Sequence, residues 1–206
     1  MTTNRPEGRS IFAWLLLLVT LALAGVAAGI YVFHEPEPQT EPATIADQFG
    51  GPFTLVDRNG KPFTDGNLKG KPFAIFFGFT HCPDVCPTSL SRMAQLRKQL
   101  GADGERFNIV FVSLDPERDS PETVGNYVDL FETPIIGLTG NSAQIADAAK
   151  AYGVFYEKVR QGEGDDYTID HTASIFLVDA DGRFVTTIAH GEDQATALAK
   201  VRRILN

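Results

Sequence analysis

Cysteine is scarce in this chain: there are two, Cys82 and Cys86, among 206 residues. That excludes a scaffold held together by disulfides. Methionine is equally scarce, with only Met1 and Met93, so a methionine-rich metal site is excluded too. There is no run of Lys or Arg. With a net charge of −8 and a pI near 5.0, the chain lacks the basic surface that phosphates demand, and no nucleic-acid partner is expected. A phosphate-cradling loop is missing as well. Gly66-Asn67-Leu68-Lys69-Gly70-Lys71-Pro72 is one residue short of that motif, and Pro72 stands where Ser or Thr would hold magnesium. Lys69-Gly70-Lys71 reads as a turn into a strand. Internal repeats and long low-complexity tracts are absent, and no proline follows Pro134.

What remains suits one packed domain with an appendage. Hydrophobic residues make up 43% and charged residues 21%. The appendage is N-terminal. Ile11 to Phe33 carries no charge, and Thr20 is its one clearly hydrophilic side chain. As a helix it spans about 35 Å at roughly 1.5 Å per residue, enough to cross a bilayer core. Arg5 and Arg9 precede it, and Glu35, Glu37 and Glu41 follow it. The positive-inside tendency keeps residues 1–10 in the cytoplasm and the rest outside. Trp14 and Tyr31 suit the two interfaces. The rival is a cleaved signal peptide ending at Ala22-Leu23-Ala24, but the apolar run continues to Phe33. An uncleaved anchor over 11–33 is the reading adopted. A buried structural helix fits less well, because the run is terminal and apolar on every face.

Residues 34–46 contain Pro36, Pro38 and Pro42 among acids and small residues, the composition of a semi-extended linker. The domain is expected over 47–206. It opens with a hairpin, Phe53–Val56 and Pro62–Thr64, around Asp57-Arg58-Asn59-Gly60. Phe73–Phe79 is nearly continuous in apolar residues, the mark of a strand buried on both faces. A helix follows from Pro87, with Leu90, Met93, Leu96 and Leu100 on one stripe. Phe107–Leu114 reads as a second buried strand. Ser120-Pro121-Glu122 starts a helix running to about Phe131. A short strand is expected over 134–138, a helix over 143–151 and an exposed loop over 161–166. Ser174–Val178 and Phe184–Ile188 form a hairpin across Asp179-Ala180-Asp181-Gly182, and an amphipathic helix over 195–205 closes the chain. This order predicts an α/β fold, a mixed sheet with helices on both faces. It is the thioredoxin-like architecture with N-terminal hairpin additions, preceded by one transmembrane helix.

The cysteines sit where a buried strand ends and a helix begins, the favoured ligand edge of an open sheet. Helix N-terminal amides stabilise thiolate, the form that binds soft metals and attacks disulfides. Three readings are open: a local disulfide, a redox pair, or part of a metal site. A structural disulfide over so short a loop gains little chain entropy. Two thiolates with an imidazole suit copper, since sulfur favours Cu(I) and nitrogen accommodates Cu(II). Zinc normally takes four protein ligands at a structural site. Asp84 would supply a fourth, weaker oxygen contact. Of the four histidines, His34 lies at the membrane, His81 shapes the strand end, and His190 follows the last strand. His171, in a loop just before the Ser174 strand, is the choice for third ligand. Asp170 reads as a partner of that site or as a turn residue. For Asp115, helix capping is the plain reading.

Three segments together carry a resemblance. Phe76-Phe77-Gly78-Phe79-Thr80-His81-Cys82-Pro83-Asp84-Val85-Cys86-Pro87, then Ser113-Leu114-Asp115-Pro116-Glu117-Arg118-Asp119, then Asp170-His171-Thr172-Ala173-Ser174 are similar to the Sco/SenC family. The similarity covers about Phe49 to Asn206, plus the single anchor. The family comprises copper chaperones that help assemble the binuclear copper A centre of cytochrome c oxidase. The resemblance implies copper ligation by Cys82, Cys86 and His171, with Asp115 at an acidic position near the site and not a ligand. It implies an upstream copper donor and the copper A subunit as recipient. The short, basic but not transit-like N-terminus favours a bacterial inner membrane with the domain in the periplasm. The mitochondrial intermembrane space is the less favoured compartment.

The competing function is a thiol-disulfide oxidoreductase acting on extracytoplasmic cysteine pairs. A peroxidase-like or redox-sensing role is a third. Redox thioredoxins place two residues between their cysteines, and here there are three. Asp170-His171-Thr172 also stands where such enzymes present a cis-proline. Both points favour a non-enzymatic metal site.

Overall fold

The structure is a computed structural model and describes residues 8–33, 49–162, 164 and 166–206. The expected linker, His34 and most of the expected cytoplasmic segment lie outside the described residues. The chain divides into two units, Met1–Pro42 and Ala43–Asn206. In the first, α1 runs from Gly8 to Phe33. Its segment Ala13–Tyr31 has a mean hydropathy of 2.3, long and apolar enough to cross a membrane.

The second unit is built on a five-stranded sheet. The strands are β3 (Phe73–Gly78), β4 (Asn108–Ser113), β5 (Ile136–Leu138), β8 (Ile175–Val178) and β9 (Phe184–Ile188), in the order β5-β4-β3-β8-β9. Both β4 and β5 continue the sheet in parallel from β3, while β8 is antiparallel to β3 and to β9, so β8 alone runs against the other four strands. Two further pairs stand outside it: the hairpin β1 (Thr54–Val56) with β2 (Pro62–Thr64), and the ribbon β6 (Tyr156–Arg160) with β7 (Tyr167–His171). The helices are α2 (Val85–Leu100), α3 (Pro121–Asp129), α4 (Ser142–Ala151) and α5 (Gln194–Leu205).

Every residue of β3 is buried, as its apolar run demands. Alternation divides its side chains between two cores. Ala74 and Phe76 join Leu90, Met93 and Leu96 of α2, with Val124 of α3 and Val201 of α5. Phe73, Ile75 and Phe77 join Ile145 and Ala148 of α4, with Leu55 of the hairpin. Each large side chain so buried contributes roughly 1.5–3 kcal/mol relative to exposure. The hairpin is fastened to the sheet by Val56, which exchanges backbone hydrogen bonds with Thr139.

The helix starts follow local chemistry. Ser120 Oγ accepts from Thr123 N–H, with Pro121 next to it. Asn141 and Gln144 cap each other's backbone at α4, and Asp193 caps α5. The fold class expected from sequence is thus the one observed. One element departs from expectation. The described residues of that loop, 161, 162, 164 and 166, are exposed as expected, but the strands on either side of it pair as β6 and β7, a ribbon that the polar, exposed pattern of Glu157, Lys158 and Arg160 concealed. As a result His171 ends a strand rather than sitting in a loop.

Candidate metal centre

The site lies at the carboxyl end of β3. The chain leaves the sheet at Gly78, turns with Cys82 N–H donating to the Phe79 carbonyl, and enters α2 at Val85. Cys86 therefore occupies the first turn of α2 and is fully buried, whereas Cys82 is partly exposed. Both are free thiols. The Cys86 amide donates to Cys82 Sγ at 3.3 Å. Gly78 makes room for this packing: a Cβ there would lie 2.6 Å from Cys86 Sγ.

His171 comes from the opposite direction, at the end of β7. Its Nε2 is 3.5 Å from Cys86 Sγ. Its Nδ1 is 3.0 Å from the Thr172 carbonyl. A carbonyl only accepts, so Nδ1 carries the proton and Nε2 is the nitrogen presented to the sulfurs. The ring meets Phe79 edge-on at 6.0 Å and Phe76 at 5.9 Å between centroids, which restricts its rotation. The two Sγ atoms and the imidazole nitrogen all lie within 4.8 Å of one another. Cys82 and His171 line a cleft of about 290 Å³ with Pro83, Asp84, Val85 and Ala173, while Cys86 is buried.

The two sulfurs are electrostatically unequal. Cys86 hydrogen-bonds to Cys82 and lowers the Cys82 pKa to about 4. Burial opposes this. His171 and the amides of Asp84 and Cys86 add to the lowering. The Cys86 thiol moves upward, because it is the donor in that pair and is more deeply buried. The resting site thus holds one thiolate and one thiol, beside the Nε2 of His171. That donor set matches a soft, low-coordinate cation.

Other candidates from sequence lie elsewhere. His81 turns toward Thr80 Oγ1 at 3.1 Å and the Asp119 carboxylate at 3.5 Å. His190 is exposed after β9. Asp84 accepts from the Thr88 hydroxyl at 3.2 Å and is not in the three-donor cluster. Asp170 is no turn residue: it lies within β7, exposed, opposite Glu157.

The capping reading of Asp115 is corrected. Ser120 caps α3, while Asp115 is fully buried and bonds Tyr167 and Arg118. Asp119 was missed altogether. It is 1% exposed, and its carboxylate accepts from Thr80 N–H at 2.9 Å, the Thr80 hydroxyl at 2.5 Å and the Ser113 hydroxyl at 2.5 Å. It anchors the loop that carries Cys82. Two carboxylates placed directly after a buried strand were the available signal, since buried charge requires partners.

A family model described as SCO1/SenC matches residues 41–206. The chain belongs to the SCO1/SenC family. The human mitochondrial SCO1 homolog is 32% identical over 209 residues, covering 97% of this chain and 69% of that protein. Among solved structures, Bradyrhizobium japonicum ScoI with copper bound is 48% identical, with a TM-score of 0.69, covering 76% of this chain and 99% of that one. A structure identifying a disulfide switch in BsSco, described as a member of the Sco family of cytochrome c oxidase assembly proteins, is 25% identical. Its TM-score is 0.60, and the match covers 81% of this chain and 98% of that one. These SCO1/SenC relatives agree with the fold and with the resemblance carried by the three motifs.

Proposed function

We propose that this protein is a membrane-anchored copper chaperone for the binuclear copper A centre of cytochrome c oxidase. It accepts a copper ion from an upstream donor and holds it with Cys82, Cys86 and His171. It then delivers the ion to the copper A subunit. The observation that carries this reading is the convergence of two sulfurs and one imidazole nitrogen within 4.8 Å at a surface cleft. Membership of the SCO1/SenC family and the copper-bound state of a relative 48% identical support copper as the cargo.

In this reading α1 anchors the chain in a bacterial inner membrane, residues 1–10 remain in the cytoplasm, and residues 34–46 tether a periplasmic domain over 47–206. The charge asymmetry around α1 supports that orientation. Delivery is ligand exchange, not catalysis. The lowered Cys82 pKa keeps one thiolate ready for the cation at neutral pH, and the open cleft allows an incoming thiolate or imidazole to displace the chaperone's donors in turn.

The test is transfer. The full-length chain in detergent, one portion loaded with Cu(I) and an equal portion with Cu(II), is mixed anaerobically with the apo copper A domain in its dithiol form, and the characteristic absorption of the mixed-valence copper A pair is followed. Its appearance, and its loss with Cys82→Ser or His171→Ala, is the expected result. No transfer from a fully loaded chain would sink the delivery reading.

A second reading rests on the same sulfurs. A Cys82 thiolate attacks a disulfide in the apo copper A protein and forms a mixed disulfide. Cys86 then displaces the client, whose two cysteines leave reduced while Cys82–Cys86 becomes the disulfide. The free thiols and the disulfide switch described for BsSco favour considering it. Stoichiometric reduction of an oxidised client by the metal-free chain would put this reading first.

A further inference from the structure

His171 belongs to a strand that the main sheet does not hold. β7 pairs only with β6 among the described strands, so the ribbon needs another fastening if Nε2 is to stay in place. The segment after β4 supplies it. Asp115 Oδ1 accepts from the Tyr167 hydroxyl at 2.7 Å, and Oδ2 accepts from Arg118 Nε at 2.5 Å. Arg118 Nη1 then donates to the Tyr167 carbonyl at 3.0 Å, and the guanidinium lies 3.7 Å from the Tyr167 ring centroid. This closes a ring of contacts around the first residue of the strand that ends in His171.

Tyr167 and His171 share one face of β7, because side chains four apart in a strand point the same way. The clamp therefore sets the face that presents the imidazole. A second path runs through packing. Arg118 lies 5.9 Å from the Phe79 ring, and Phe79 meets the His171 ring edge-on. The other end of the same segment holds the cysteine loop, through Asp119 and Thr80. One short stretch thus ties both halves of the site to the sheet.

We propose that Asp115, Arg118 and Tyr167 are positioning residues for the metal centre: they set where His171 stands relative to the two sulfurs without touching the ion. This rests on His171 being a ligand. Their effect falls on the nitrogen and leaves the sulfurs alone. Cu(II), which draws on the imidazole, is more sensitive to them than Cu(I), which two thiolates satisfy.

The variant of choice is Tyr167→Phe in the full-length chain in detergent. It keeps the ring under Arg118 and removes only the hydroxyl given to Asp115. Cu(II) affinity is expected to fall roughly 10- to 100-fold, the usual effect of losing an outer partner of a metal site. Nitrogen coupling in the EPR spectrum should change, while Cu(I) affinity stays within about twofold. In a His171→Ala background the same substitution should have no further effect on Cu(II), since coupled residues are not additive. Should Tyr167→Phe fail to fold, Asp115→Asn takes its place with the same expectations.

A lowered thermal midpoint with wild-type Cu(II) affinity and spectrum would overturn the proposal and leave the clamp a stabilising device only. An equal loss in the His171→Ala background would overturn it too. Absence of nitrogen coupling in the wild-type spectrum would instead remove the ligand assignment, and this proposal with it.

Discussion

The Nε2 of His171 lies 3.5 Å from the Sγ of Cys86, across 85 positions of sequence. The two side chains approach from unconnected elements, the start of α2 and the end of the β6–β7 ribbon. An ion held between them joins those elements in the folded state alone. Copper loading should therefore stabilise the protein. At a free copper concentration 100 times Kd the gain is about 2.7 kcal/mol, several degrees in thermal midpoint for a domain of this size. Calorimetry with and without a Cu(I) chelator measures it. The increment should shrink in Cys86→Ser.

The unequal sulfurs make the reduced, metal-free protein sensitive to pH. The Cys82 pKa is lowered in the fold from 9.0 to about 4. A group depressed in this way contributes stability that is complete above the unfolded value and is lost as pH falls through the folded one. The contribution of Cys82 should thus grow from about pH 4 to about pH 9. Cys86 has the opposite sign, because its pKa is raised, and it weakens the fold above about pH 9. Thiolate absorbance at 240 nm should show one ionisation near pH 4, missing in Cys82→Ser. Chemical denaturation of that variant should show a flatter pH profile than wild type between those limits.

Gly78 bears on the site through space alone. Its absent side chain leaves the volume that Cys86 Sγ occupies, and a Cβ would also stand 3.1 Å from Phe111. Gly78→Ala should destabilise the domain by about 1–3 kcal/mol, the usual range for overpacking. It should also weaken copper binding, because the sulfur is the atom displaced. Denaturant unfolding and copper titration of the same variant check both effects.

Asp119 ties the cysteine loop to β4, accepting two hydrogen bonds from Thr80 and one from Ser113. Asp119→Ala would remove the acceptor of the part-buried Thr80 amide and of the buried Ser113 hydroxyl, and leave the Thr80 hydroxyl with His81 alone. The expected loss is on the order of 3 kcal/mol. Asp119→Asn, which keeps an acceptor oxygen, should lose less. Urea unfolding at neutral pH distinguishes the two.

The parts of the fold legible in sequence were those written in hydrophobic period and cap chemistry. Phe73–Phe79 announced a central strand because every neighbour on both faces is apolar. Ser120-Pro121-Glu122 announced α3 because each residue suits one N-terminal position. The cysteines were legible because a thiol pair at a strand–helix junction is chemically unusual. The ribbon was not legible. Glu157, Lys158 and Arg160 face solvent, and their strand is defined by pairing with β7 rather than by burial. That concealed the place of His171 at a strand end. The roles of Asp115 and Asp119 were hidden for a related reason. Their partners, Tyr167 and Thr80, are 52 and 39 positions away, and only the folded chain brings them within reach.

The central claim is that Cys82, Cys86 and His171 hold one copper ion together. Copper titration of the full-length chain in detergent, read by absorption and EPR, tests it most directly. Wild type should bind one equivalent of Cu(II) with sulfur-to-copper charge-transfer bands and nitrogen coupling. His171→Ala should lose the nitrogen coupling while retaining Cu(I) on the two sulfurs. Failure of wild type to bind either oxidation state, or a Cu(II) spectrum unchanged by His171→Ala, would contradict the claim.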